Sequence, residues 1–184
     1  SYKKAIAIRP NYAKAYLNLG GAYFKQGKYN LAIEPLKKLI AIEPDYAEAH
    51  YGLGIVYDEQ GKYDLAIESF KKATTIKPDY AKAHYNLGVA YDKQGKSEEA
   101  IEAYQKAIRL NPNYAGAYLN LGVVYDEQGK SEEAIEAYQM AIRLNPNDAG
   151  VHYNLGIAYR EQGKSEEAIA AYQTAIRLNP NLAE

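Results

Sequence analysis

The 184-residue sequence contains no cysteine. That single absence excludes disulfides, thiolate nucleophiles and Cys-based zinc sites together, and it suits a reducing, cytoplasmic compartment. An excess of either charge is also missing, since 22 Lys and Arg stand against 23 Asp and Glu for a net charge of −1. No global basic field is available to hold nucleic acid, so none is expected as a partner. Nor is there an apolar run long enough to span a bilayer, or the basic-then-apolar opening of a signal peptide. Membrane insertion is therefore not expected. Ser1 leads straight into a helical pattern, so the sequence reads as a piece of something longer.

What is present is ordinary in bulk, with 47% apolar and 24% charged residues. Its charge is uneven, however. Residues 1–46 carry eight Lys/Arg and three Asp/Glu, whereas residues 115–148 carry two and six. Solvated helix faces account for this pattern, with steering of a partner as the alternative.

Self-similarity dominates the sequence. Proline recurs at Pro10, Pro44, Pro78, Pro112, Pro146 and Pro180, always 34 residues apart. Glycine keeps the same period at Gly20, Gly54, Gly88, Gly122 and Gly156, and again at Gly27, Gly61, Gly95, Gly129 and Gly163. Between these marks the period is helical. In residues 81–114, His84, Leu87, Gly88 and Tyr91 form one stripe of a first helix, and Ala100, Ile101, Tyr104, Ala107 and Ile108 form that of a second. Gly95 is expected to close the first helix and Pro112 to end the second. Ser97 and Asn113 are the expected side-chain caps of the helices that follow them. Gly88 and Ala100 fall where two helices should approach closely, and Gly122→Leu should overpack the equivalent place. Pro35 lies inside the second helix of the first unit, where it should kink or shorten the opening turns.

These residues carry a resemblance. The stretch Tyr118-x-x-Leu121-Gly122-x-x-Tyr125, then Ala134-x-x-x-Tyr138, then Pro146 resembles the tetratricopeptide repeat (TPR), whose pattern opens on Trp. Here the Trp position holds Tyr16, His50, His84, Tyr118 and His152. The resemblance covers nearly the whole chain as five units: 13–46, 47–80, 81–114, 115–148 and 149–182. Residues 1–12 resemble the second helix of a truncated preceding repeat, and 183–184 the start of a truncated next one. The resemblance implies an all-α fold, an α-α superhelix built as a right-handed solenoid of antiparallel helix pairs.

Several chemical motifs dissolve on inspection. The Gly-Lys-Ser triplets at Gly95, Gly129 and Gly163 lack the P-loop glycine five residues earlier, where Ala90, Val124 and Ala158 stand within a helix. His50, His84 and His152 share one repeat position, but stacked helices about 8–10 Å apart are too distant to share a zinc with bonds of about 2 Å. Glu132-Glu133 and its counterparts sit in helix starts, where the helix dipole explains them. No nucleophile elbow, metalloprotease helix or dinucleotide fingerprint occurs. No catalytic residues, metal or cofactor are expected, and the chain reads as a non-enzyme.

Setting aside the packing stripe leaves a second face on each first helix. In residues 81–114 it comprises Lys82, Tyr85, Asn86, Val89, Asp92 and Lys93. TPR first helices line a concave groove, so the resemblance makes these positions the candidate peptide site. Three ladders follow along the chain. Asn18, Asn86, Asn120 and Asn154 give amides, interrupted by Gly52. The apolar pairs are Leu17 with Gly21, Tyr51 with Ile55, Tyr85 with Val89, Leu119 with Val123, and Tyr153 with Ile157. Asp58, Asp92 and Asp126 give acids, preceded by Phe24 and followed by Arg160.

An amide donates and accepts, and can therefore pair with any peptide backbone; aspartates favour Lys or Arg on a ligand. The asparagine ladder is similar to the one in the TPR superhelix of O-GlcNAc transferase, which grips extended peptide. The carboxylate clamp of chaperone-adaptor TPRs is not expected, because acids stand where cations are needed. Alternatively, the asparagines cap or bridge neighbouring helices. The leading function is a protein-interaction scaffold holding an extended protein or peptide segment. One alternative is head-to-tail self-association, with Tyr2, Ala5 and Ile6 docking near Ile169, Tyr172 and Ile176 of another copy. The other is a substrate-recruiting arm of a larger enzyme.

Overall fold

A glycine turn and a proline turn, alternating, define the architecture. The computed structural model of the chain describes residues 13–180, which contain ten helices and, among the described residues, no strand. The chain divides into two compact units that meet between Lys96 and Ser97, in the middle of the 81–114 stretch.

The first unit holds α1 (Ala13–Lys25), α2 (Tyr29–Ile42), α3 (Ala47–Glu59), α4 (Tyr63–Ile76) and α5 (Ala81–Asp92). The second holds α6 (Ser97–Leu110), α7 (Ala115–Glu127), α8 (Ser131–Leu144), α9 (Ala149–Glu161) and α10 (Ser165–Leu178). Within each unit every helix packs on the one before it, and the first helices also meet each other: α1 with α3, α3 with α5, and α7 with α9.

Gly27, Gly61, Gly95, Gly129 and Gly163 take φ between 68° and 73°, a left-handed conformation that costs a residue with Cβ. The turn that results closes orphan carbonyls twice. Lys62 N donates to Tyr57 O at 2.9 Å and Gly61 N to Asp58 O at 2.9 Å, the paired bonds of a Schellman cap. The same pair of bonds forms at the four equivalent turns. Second helices end differently. The residue before each proline is pushed to extended backbone, as at Glu43 (φ −130°, ψ 85°) and Lys77 (φ −127°, ψ 87°).

The caps depart from expectation. Ser131 and Ser165 are themselves the first helical residues, behind Lys130 and Lys164, and neither N-cap makes a side-chain bond. Ser97 holds the same first position in α6. Asn113 does not cap α7 either: Tyr114 is the N-cap, and the backbone N–H of Asn113 donates to Asn111 Oδ1 at 3.2 Å. Asp148 does cap α9, accepting from Gly150 and Val151. Pro35 also behaves differently from its propensity. It is buried within α2, which keeps the same 14-residue length as α4. Burial in the helix-pair interface holds the helix together across the missing amide.

Packing follows the small residues. The ring of Phe70 lies over Gly54, that of Tyr138 over Gly122, and that of Tyr172 over Gly156; in the first pair Leu36 covers Gly20. Phe70 is fully buried and Tyr138 almost so, each worth about 1.5–3 kcal/mol of transfer free energy. Val151, Leu155, Ala158 and Ile135 complete that core in the second unit, and Tyr16, Leu39 and Ala49 form one in the first.

Candidate functional site

The face left over by this packing lies on the first helices. In the first unit, Leu17 and Ile55 are half-buried, as are Tyr85 and Val89, while Asn18 is exposed. In the second, Leu119, Asn120, Val123, Asn154 and Ile157 are half-buried, and Tyr153 is 45% exposed. The apolar positions of each unit thus stay partly accessible on helices whose opposite stripe is buried.

The polar residues are less uniform than their spacing implies. Asn86 Nδ2 donates to the Tyr51 hydroxyl and to Lys82 O, both at 3.0 Å. One N–H joins α5 to α3 through Tyr51, the bridging alternative for this rung, and the other bonds back to a carbonyl of its own helix. Asn18 and Asn154 make no side-chain hydrogen bond among the described residues. Tyr51 anchors an aromatic cluster, with its ring 5.0 Å from Tyr80 and 5.9 Å from Phe70. Burial raises the Tyr51 hydroxyl, with the Asn86 bond opposing; burial, then Tyr51 and Glu48, pushes Tyr80 up to about 12.

The aspartates fall into contrasting settings. Lys93 Nζ reaches Asp58 at 2.8 and 3.0 Å and also lies over the Tyr63 ring, so this carboxylate already has its cation. The residue 35 positions after Asp126 is Glu161 instead. Asp126 Oδ1 is buried without a hydrogen-bond partner, and burial, followed by Glu161 and Glu127, raises its carboxyl above the ordinary value. The same three acids add to the burial that raises Tyr138. Asp92 is half-buried at the end of α5.

The histidines have a role that spacing did not reveal. Each reaches back six residues, His50 Nε2 donating to Pro44 O (2.8 Å), His84 to Pro78 O (3.1 Å) and His152 to Pro146 O (2.9 Å). A carbonyl can only accept, so Nε2 carries the hydrogen. These bonds tie each first helix to the proline turn before it.

Two further features were missed. Glutamines bridge successive pairs: Gln60 to Asn30 (2.8 Å), Gln94 to Asp64 (2.8 Å) and Gln128 to Glu98 (3.2 Å). The only available signal was that Gln precedes every turn glycine. Second, a cavity of about 490 Å³ opens between α1 and α3, bounded by Leu17, Phe24, Leu36, Tyr51 and Ile55. Of the residues expected in self-association, Ile169 and Ile176 are 56% and 47% exposed on α10 and Tyr172 is half-buried. Tyr2, Ala5 and Ile6 lie outside the described residues.

Among the described residues no helix is long and apolar enough to cross a membrane. The model of the cilia and flagella-associated protein 70 C-terminal domain, a TPR domain, matches residues 2–183. No curated protein matches the sequence. Among solved structures, MamA is 34% identical, with a TM-score of 0.84 over 90% of this chain and 96% of that one. YrrB, described as a TPR protein with an unusual peptide-binding site, is 26% identical, with a TM-score of 0.83 over 98% and 93%. PilF of Pseudomonas aeruginosa is 27% identical, with a TM-score of 0.82 over 91% and 76%. The 34-residue period, the glycine–aromatic contacts and these matches lead to one conclusion: the chain belongs to the tetratricopeptide repeat family, with an all-α helix-pair solenoid fold.

Proposed function

We propose that the chain is a non-catalytic protein-interaction module whose first-helix faces hold an extended segment of a partner protein. Family membership and the TPR structures it resembles support an interaction scaffold in general terms. The observation that carries the finer reading is the accessible strip itself, in which even the large Tyr153 side chain is 45% exposed. Tyrosine beside aliphatic groups offers adaptable apolar contact at low conformational cost. Asn18 and Asn154, whose side chains make no hydrogen bond among the described residues, supply the amides for backbone pairing, and Asn86 serves to brace the helices. A preference for Lys or Arg belongs to the second unit, where Asp126 and Glu161 have no ion pair among the described residues, and is weaker in the first, where Lys93 pairs with Asp58. The five stretches 13–46, 47–80, 81–114, 115–148 and 149–182 are the repeating elements of this surface.

A random-peptide display selection tests the reading, with the Tyr153→Ala/Asn154→Ala variant as the counter-selection. Peptides that converge on a motif and lose binding to the variant support it. Convergent peptides that ignore the variant, or no enrichment, reject it.

A second reading has its own observation. Ile169 and Ile176 on α10 are bare, whereas Ile135, the residue equivalent to Ile169 one repeat earlier, is buried. Self-association through this face predicts concentration-dependent sedimentation that Ile169→Glu/Ile176→Glu abolishes. Monomeric behaviour at high concentration rejects it.

A further inference from the structure

The cavity between α1 and α3 coincides with three departures from the repeat. At the position of Gly21 the other units carry Ile55, Val89, Val123 and Ile157; at that of Gly52 they carry Asn18, Asn86, Asn120 and Asn154. At the position of Leu36 they carry Phe70, Tyr104, Tyr138 and Tyr172. Each change removes side-chain volume, and all three residues line the same cavity.

Packing does not require either groove glycine. A Cβ on Gly21 would meet nothing within 4 Å, and one on Gly52 would rest 3.4 Å from Leu36 Cδ2, an ordinary contact. Gly54, by contrast, has the Phe70 ring 2.6 Å from where its Cβ would be. Neither Gly21 nor Gly52 has positive φ. Glycine within a helix is unfavourable, so two with no backbone or packing need mark space kept open.

We propose that this cavity is the anchor site for one aromatic side chain of the bound segment. The inference rests on the groove reading and names its ligand chemistry. Leu36 and Val56 form an apolar floor, and the rings of Phe24 and Tyr51 supply the walls. Tyr51 already packs at tilted angles of 48° on Phe70 and 41° on Tyr80, so an incoming ring extends an existing cluster in the geometry aromatic groups prefer. At about 490 Å³ the void falls within the range of about 300–1,000 Å³ seen for small-ligand sites, with room for an indole and its flanking amide. Asn18 lines the rim with its amide unbonded among the described residues, where it meets the backbone of the anchoring residue. Lys25 and Glu48 complete the polar rim, and Glu48 has Lys77 3.6 Å away.

The test uses capped amino acids, so it does not depend on finding a natural partner. N-acetyl-tryptophanamide, N-acetyl-leucinamide and N-acetyl-alaninamide are titrated into the full chain while the methyl signals of Leu17, Leu36 and Ile55 are followed by NMR. The tryptophan compound should give saturable shifts with an affinity about tenfold above the leucine compound, and the alanine compound none. Gly21→Ile fills the void with the residue other repeats carry there, and should remove the response without lowering the melting temperature. Gly52→Asn is the second variant, with the same expectation. No saturable shift, an equal response to leucine, or a response that survives both variants overturns the proposal. Display-selected peptides that bind Gly21→Ile unchanged would overturn the anchor and leave the groove reading standing. Failure of the display selection beside a tryptophan response lost in the variants would do the reverse.

Discussion

A methyl group added at Gly122 arrives 2.6 Å from the Tyr138 ring, whereas one added at Gly21 meets open space. The same substitution should therefore have opposite signs. Gly122→Ala is expected to cost about 1–3 kcal/mol by overpacking, while Gly21→Ala gains up to about 1 kcal/mol of helix propensity. Thermal unfolding followed by circular dichroism would separate them, and equal melting temperatures would contradict the packing described. Asp126 offers a second residue-scale test. Its folded-state pKa is raised, mainly by burial, so the folded protein holds this proton more tightly than the unfolded chain. Ionising Asp126 thus opposes folding, and the penalty fades as pH falls through the raised value toward the ordinary 3.8. Asp126→Asn should be more stable than the parent at neutral pH, and the gap in denaturant midpoint should close near pH 3.8. A variant less stable at neutral pH would show that the carboxylate is satisfied.

Helices and their joints are the next scale. Replacing Pro35 with alanine restores an amide donor inside α2 and should stabilise by up to about 3 kcal/mol, with slower hydrogen exchange in its first turns. A double-mutant cycle on Gln94 and Asp64 should give a coupling of about 0.5–1 kcal/mol, at the low end because the pair is solvent-accessible. Additive single effects would mean that the link contributes nothing. Helix order and turn positions were legible because Gly61 and Pro78 impose backbone conformations that need no tertiary context. The strip containing Tyr51 and Ile55 was also legible, since a 3.6-residue period separates it from the packing stripe. Other features were not. Asn86 meets Tyr51 and Lys93 meets Asp58 across 35 residues, distances that a periodicity within one helix cannot encode. The Ser97-type caps failed because the Schellman turn already fixes the chain entering the next helix, with the following lysine as N-cap. The cavity showed only as departures from the repeat at Gly21, Leu36 and Gly52, because spacing along a chain carries no measure of the space those three residues enclose.

At the scale of the whole molecule, each helix depends mainly on its neighbours, so damage should stay local. Gly156→Leu, driven into the Tyr172 ring, should increase hydrogen exchange in α9 and α10 far more than in α1 to α3. Uniform loss of protection would instead indicate a single cooperative fold. The glutamine bridges carry a separate consequence. Gln60, Gln94 and Gln128 use one donor geometry on three different acceptors: an asparagine amide, an aspartate and a glutamate. A seam that tolerates three acceptors asks little of the sequence on its far side. Duplicating or exchanging whole repeats by recombination can therefore leave a workable seam without a compensating mutation, and the length of such a chain becomes an easily inherited variable.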